Sequence, residues 1–172
     1  MSLPTQRRII QNAWVVPNLE QACLKWVEEM GVGPFFVSEF DMDVFSFIEY
    51  RGEPSELCLK VAVAHAGNLQ IELIESKTPK SAYRDVVAEG CGGFHHMCVS
   101  TEDFEADRKY FEALGYTAAN MGRISDLEFA YYDTRALLGC MFEVVTRTQS
   151  FEERYQEIAN SSENWDGENP IR

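Results

Sequence analysis

The sequence predicts an α+β fold made of two β-α-β-β-β units whose sheets pair. Two observations carry this. QNAWVVPNLEQACLKWVEEMG from Gln11 and HHMCVSTEDFEADRKYFEALG from His95 share one pattern of strand, turn and amphipathic helix, with Leu19 falling over Phe104 and Gln11 over His96. Downstream, LQIELIES around Glu72 answers GCMFEVVTR around Glu143, so each unit closes with a strand that carries a glutamate. One unit alone leaves a sheet face uncovered, and pairing two sheets buries it.

The elements follow in order. Residues 9–16 are apolar and rich in strand formers, and Asn18 with Gln21 makes a capping box after Pro17. Leu19, Ala22, Cys23, Trp26, Val27 and Met30 then recur at helical spacing until Gly31 and Gly33 end the helix. Strands are expected near 35–40, 44–50 and 58–65, with RGEPSE as a turn-rich connection. Residues 68–75 alternate, with Leu69, Ile71 and Leu73 on one face and Gln70, Glu72 and Ile74 on the other. Residues 80–88 read as a linking helix stopped by EGCGG.

The second unit repeats this plan. A strand over 94–100 leads to a helix capped by Thr101 or Asp103, holding Phe104, Tyr110, Phe111 and Leu114 and closed by Gly115. Strands near 118–124, 127–133 and 138–147 complete it. We expect a single domain over 1–172, with repeats at 8–78 and 93–147, the linker helix at 80–88, and a C-terminal helix and tail at 150–172. Gln11 and Glu72 are spaced further apart than His96 and Glu143, so the first unit carries the longer connection. The tail WDGENPIR suggests packing through Trp165 and no chemistry.

Composition narrows the function. A net charge of −13 repels phosphate backbones and anionic lipids, which argues against nucleic-acid and membrane partners. No apolar run approaches a membrane span and no signal peptide precedes the first strand, so a cytoplasmic protein is expected. Five cysteines without a CxxC pair read as reduced, mostly buried thiols.

Strand alternation gives the candidate site. Gln11, Ala13 and Val15 share a face, as do His96, Cys98 and Ser100; Gln70, Glu72 and Ile74; and Met141, Glu143 and Val145. If the helices cover the opposite faces, an amide oxygen, an imidazole and two carboxylates converge on the concave side. Gln11, Glu72, His96 and Glu143 are therefore the candidate metal ligands. Mixed nitrogen and oxygen donors suit a divalent ion such as Zn, Ni, Co, Mn or Mg.

The repeat, the HHMCVSTEDF segment and the ELIES and FEVVT strand ends resemble the vicinal oxygen chelate superfamily over residues 8–147. Within it VVPNLEQACLKW and LIES look most like the glyoxalase I and methylmalonyl-CoA epimerase types. The resemblance implies a half-barrel, glyoxalase-like sheet and a ligand at Gln11, Glu72, His96 and Glu143, with Gln11 standing where epimerases usually have His. It also implies a homodimer acting on a small molecule. The implied activity is that of a metal-dependent isomerase, epimerase or lyase, moving a proton beside a carbonyl of a thioester or glutathione adduct. Glu143 is then the first candidate base and Glu72 the second, since an epimerase needs both faces of its intermediate. Glu56 matches the place of a catalytic glutamate in the epimerases, although SELCLK differs from the family's neighbouring residues. The alternatives are a non-catalytic, antibiotic-type binding protein and a ring-cleaving dioxygenase. Gln11 counts against the dioxygenase, which takes two histidines and one glutamate on iron.

Other polar residues have plainer readings. His95 and His96 are neighbours in a strand and should point opposite ways, which leaves His95 packing or hydrogen-bonding on the helix side or surface. His65, before a turn, reads as an exposed loop histidine. Gln70 either supports a ligand or marks a polar edge. Trp14 is expected as core beneath the first helix, and PFFVSEF and FSFIEY as core, interface or pocket wall.

Overall fold

Strand β1 (Gln11–Val15) alternates in burial and hands over to α1 (Leu19–Met30) at Asn18, whose Oδ1 accepts from the Gln21 N–H at 2.9 Å. Gly31, at φ 65°, takes the left-handed conformation that closes the helix. Leu19 and Cys23 pack onto Ala62, Ala64, Ile71 and Leu73, and Trp14 meets Trp26 at 5.0 Å between ring centroids. The computed structural model describes residues 7–172. The chain continues through β2 (Phe36–Phe40), β3 (Phe45–Tyr50), β4 (Glu53–Pro54), β5 (Leu59–Ala66), β6 (Leu69–Ser76) and α2 (Ala82–Val86). Then come β7 (Gly93–Thr101), α3 (Phe104–Ala113), β8 (Ala118–Ile124), β9 (Leu127–Tyr132), α4 (Arg135–Leu138), β10 (Met141–Thr146) and α5 (Gln149–Ser162). Asp103, not Thr101, caps α3, its Oδ1 accepting from Ala106 N–H.

The ten strands of the described residues form one curled half-barrel sheet, ordered β2-β5-β6-β1-β7-β10-β9-β8-β3-β4. In each unit the first strand runs parallel to the last, β1 with β6 and β7 with β10, and the others follow antiparallel outward. The units join through the antiparallel pair β1–β7. Helix α1 covers the outer face of the first unit, and α3 that of the second through Phe104 and Phe111. The inner face holds the shared core of Ala13, Val15, Leu59, Ile74, Cys98, Phe129 and Met141. Among the described residues no helix is long and apolar enough to cross a membrane.

Two parts differ from expectation. The strand at 44–50 does not join the first unit: β3 crosses to the second and pairs antiparallel with β8, with β4 beyond it. The long connection has the reach for this, and β8 would otherwise be an unpaired edge. Gly122 makes room for the crossing strand, since a Cβ there would stand 2.8 Å from Ile48 Cδ1. The second difference is the C-terminal segment. Helix α5 lies on the concave side with Ile158 fully buried, and Phe151 and Tyr155 pack against the shared core. Past it, Phe35 N–H donates to Pro170 O and Arg172 N–H to Phe35 O, both at 2.8 Å, so the last residues add to the sheet beside β2. Trp165 lies over Gly33, where a Cβ would come within 2.6 Å of the indole.

Candidate functional site

The two units present their polar residues by one rule. Gln11 sits beside Gln70 in the β1–β6 register, two residues before Glu72. His96 sits beside Met141 in the β7–β10 register, two residues before Glu143. The β1–β7 pair places Ala13, a small and fully buried residue, opposite His96. The register then slips: Trp14 is opposite Phe94, so His95 is the extra residue of a β-bulge. This overturns the expectation that the two histidines face apart. The bulge lets both imidazoles meet on the inner side, with His95 Nδ1 2.8 Å from His96 Nδ1 and both rings fully buried.

The protons on these rings follow from their partners. His95 Nε2 is 3.0 Å from the Ala82 carbonyl, an obligate acceptor, so His95 donates there. Its Nδ1 in the neutral ring is then a lone pair and accepts from His96 Nδ1–H. His96 is left with a lone pair on Nε2. That atom faces Glu143 Oε2 at 3.1 Å, Gln11 Oε1 at 3.3 Å and Glu72 Oε2 at 3.4 Å. Four electron-rich atoms thus meet, and Glu72 Oε2 is buried with no hydrogen-bond partner among the described residues. Such a convergence is relieved by a proton on one of the carboxylates or by a metal ion.

The donor types are ones that divalent ions take. Neighbouring ligands around an ion with bonds of about 2.1 Å stand about 3.0 Å apart at right angles and about 3.4 Å apart at tetrahedral angles. The three separations from His96 Nε2 span that range. Among the described residues no three His, Cys, Asp or Glu side chains are by themselves arranged to hold an ion. Gln11 brings an amide oxygen to the same point.

The two carboxylates are driven apart in acidity. Burial, and then the charge of Glu143, raises Glu72 well above the usual carboxylate range. Burial is also the largest influence on Glu143 and opposes its ionisation. The His96 imidazole, the Cys98 thiol and the Tyr131 hydroxyl nevertheless together hold its carboxyl below the usual range. Without a metal, Glu143 is therefore the ionised member and Glu72 the protonated one. Tyr131 shares a 2.9 Å hydrogen bond with Tyr83, whose hydroxyl belongs to the same buried wall.

Gln11, Glu72 and Glu143 line a cavity of about 260 Å³ whose other walls are largely apolar, among them Phe40, Phe45, Leu57 and Phe129. Helix α5 supplies the covering side with Phe151, Arg154, Tyr155 and Ile158. The aromatic stretches around Phe40 and Phe45 are thus pocket wall. Glu56 is exposed and stands outside this cavity, the wall at that point being Leu57. His65 departs from its expected exposed position. It is the penultimate residue of β5 and only 5% exposed, with the Tyr155 ring edge-on at 4.5 Å. The repeat pattern could not show this, because the residue covering His65 comes from α5, far away in sequence. Sequence reasoning also missed His95 as the support of His96; adjacent GlyGly at 92–93 was the one local sign of an irregular strand.

The buried histidines predict a pH dependence. Burial lowers His65 below its ordinary 6.5, and burial, with the His96 imidazole alongside, lowers His95 well below it. Both are neutral in the fold and protonate more readily when unfolded. Their contribution is complete above about pH 6.5 and is lost as pH falls through the lower folded values. The melting temperature should drop between about pH 7.5 and about pH 5.5, with a shallower drop in His65→Gln. An identical slope in the variant would place the acid sensitivity elsewhere.

Comparison with known proteins agrees with this architecture. A hypothetical protein from Bacillus halodurans superposes with a TM-score of 0.58 at 15% identity, over 84% of this chain and 97% of the other. Methylmalonyl-CoA epimerase from Mycobacterium tuberculosis gives 0.58 at 14% identity, over 84% and 91%. The Streptomyces coelicolor methylmalonyl-CoA epimerase in complex with 2-nitronate-propionyl-CoA gives 0.55 at 16% identity, over 82% and 97%. At these identities the likeness is one of fold. No curated protein matches the sequence. The family model for the Glyoxalase/Bleomycin resistance protein/Dioxygenase superfamily matches residues 10–131, which leaves β10 with Glu143 and all of α5 beyond its end. Since that span is well over half of the chain, and the two-unit half-barrel accompanies it, this protein belongs to the Glyoxalase/Bleomycin resistance protein/Dioxygenase superfamily.

Proposed function

We propose that this chain moves a proton next to the carbonyl of a small acyl substrate, as an isomerase, epimerase or related lyase. The reading places a divalent ion between Gln11, Glu72, His96 and Glu143. One observation carries it: oxygens of Gln11, Glu72 and Glu143 converge within 3.1–3.4 Å of His96 Nε2, against an apolar cavity. One nitrogen with three oxygens suits Zn²⁺, Ni²⁺, Co²⁺, Mn²⁺ or Mg²⁺.

When bound, the ion supplies positive charge opposite the oxyanion that develops as an α-hydrogen leaves. The other roles belong to the chain. Glu143, ionised in the free protein, takes the proton. Glu72, across His96 on another strand, is the second carboxylate through which a proton can return to the opposite face. Gln11 and His96 orient the centre, and the apolar walls with α5 keep water away from the reacting carbon. A cavity of about 260 Å³ accepts an acyl group and leaves a large carrier outside. The fold likeness to an epimerase crystallised with methylmalonyl-CoA supports a thioester as substrate class.

The test is metal content. Protein purified without chelators should carry about one divalent ion per chain by mass spectrometry, and His96→Ala should carry none. Deuterium exchange at the α-carbon of thioesters and hemithioacetals then locates the substrate. Retention of no ion, after exposure to all five metals, would turn the reading to a non-catalytic small-molecule binder.

A further inference from the structure

Gln11 is the one member of the set whose chemistry does not dictate which atom faces the centre. In one orientation its amide offers Oε1; rotated by half a turn it offers Nε2 and two hydrogens, which repel a cation. The orientation must be imposed from behind. Gln11 Nε2 donates to Gln70 Oε1 at 2.7 Å, and Gln70 Nε2 is 3.4 Å from His65 Nε2. The three residues are 8%, 5% and 5% exposed, so bulk water does not substitute for these partners. The Gly67 backbone acts on the His65 ring against burial, as a carbonyl accepting a ring proton does, and Gln70 is the only side chain hydrogen-bonded to the ring among the described residues.

The polarity of this row is tied to the His65 tautomer at its far end. A lone pair on His65 Nε2 accepts from Gln70 Nε2. Gln70 then turns Oε1 toward Gln11, Gln11 turns Nε2 outward, and Gln11 Oε1 is left facing His96 Nε2 at 3.3 Å. A proton on His65 Nε2 reverses every step and points Gln11 Nε2 into the centre. Helix α5 holds the far end in place: Tyr155 packs edge-on against His65 and donates from its hydroxyl to Ile10 O at 2.9 Å, while His65 N–H donates to Ser162 Oγ at 3.4 Å.

We propose that His65 and Gln70 are positioning residues of the centre, which together hold Gln11 with its amide oxygen inward. This rests on the reading of Gln11, Glu72, His96 and Glu143 as ligands. It also gives α5, which lies beyond the family match, a part in the centre, because α5 buries the histidine at the end of the row.

The experiment is a double-mutant cycle read as the Kd for Co²⁺, with melting temperatures measured alongside. His65→Leu and Gln70→Leu should each weaken Co²⁺ binding by about 10–100-fold, the usual cost of losing a group that orients a ligand. His65→Gln, whose amide oxygen can accept from Gln70 Nε2, should restore wild-type affinity. In a Gln11→Glu background both terminal atoms are oxygens, polarity no longer matters, and His65→Leu should leave Kd unchanged. An equal loss in both backgrounds would be a general packing effect and would overturn the proposal, as would a His65→Leu variant that binds like the wild type. Long-range ¹H–¹⁵N spectra of the wild-type protein with Zn²⁺ provide a check without mutation. They should show the His65 proton on Nδ1, and a proton on Nε2 would refute the relay. Wild-type protein that binds no Co²⁺ would remove the ligand set itself and the relay with it. Normal wild-type binding with an insensitive His65→Leu removes the relay alone.

Discussion

Glu143→Gln should lower α-proton exchange by about 10²–10⁴-fold, the range lost with a positioned base. The amide keeps the size and one oxygen of the carboxylate, so the sheet and the metal-facing geometry stay in place. It cannot accept the proton, however, and it meets the Cys98 thiol and Tyr131 hydroxyl that now favour an anion. Circular dichroism and melting temperature should stay near wild type while exchange collapses, with metal content separating a lost base from a lost ion. Full exchange in a metal-loaded Glu143→Gln protein would take Glu143 out of the chemistry and leave Glu72 as the candidate. A pure binding protein would show neither exchange before the substitution nor much change in ligand affinity after it.

Asn120→Leu should cost about 2–5 kcal/mol, since it strands the buried Ala82 N–H and the partly buried Glu49 carbonyl, at about 1–3 kcal/mol for a fully buried group and less for the other. Asn120 is fully buried; its Oδ1 accepts from Ala82 N–H at 2.6 Å and its Nδ2 donates to Glu49 O at 2.8 Å. One side chain therefore ties the crossing strand β3 and the start of α2 to β8. For a chain of this size the melting temperature should fall by roughly 5–20 °C. The effect should also reach the site, because the Ala82 carbonyl is the acceptor that sets the His95 proton and, through it, the His96 lone pair. Asn120→Asp retains the acceptor for Ala82 and should lose stability with a smaller change in metal affinity. If Asn120→Leu melts like the wild type, Asn120 does not link these elements as described.

Much of the fold was legible in the chain. The spacing of Leu19, Cys23 and Trp26 and of Phe104 and Phe111 identified the two outer helices, because a helix shows its buried stripe every three to four residues. Alternation in 68–75 separated the Ile71 face from the Glu72 face, because strand side chains alternate strictly. The internal repeat then selected Gln11, Glu72, His96 and Glu143 from all the polar residues, and the structure does bring these four together at 3.1–3.4 Å from His96 Nε2.

What the periodicity could not reveal depended on partners remote in sequence. Alternation presumes a regular strand, and the extra residue at His95 exists only because β7 must pair with β1 on one side and β10 on the other. The β3 segment has the same alternation whichever unit receives it; the open edge of β8 decides. His65 looks like a turn histidine until α5 folds over it, and Gln70 like an edge residue until Gln11 and His65 stand on either side. The unlike acidities of Glu72 and Glu143 arise from charge and burial acting through space, which residue order alone does not encode. Except at the His95 bulge, the sequence by itself determined which strand side chains face inward, since that follows from local backbone geometry. The tertiary structure decided which of them touch, which carry protons and what covers them, since those depend on contacts between segments that only folding brings together.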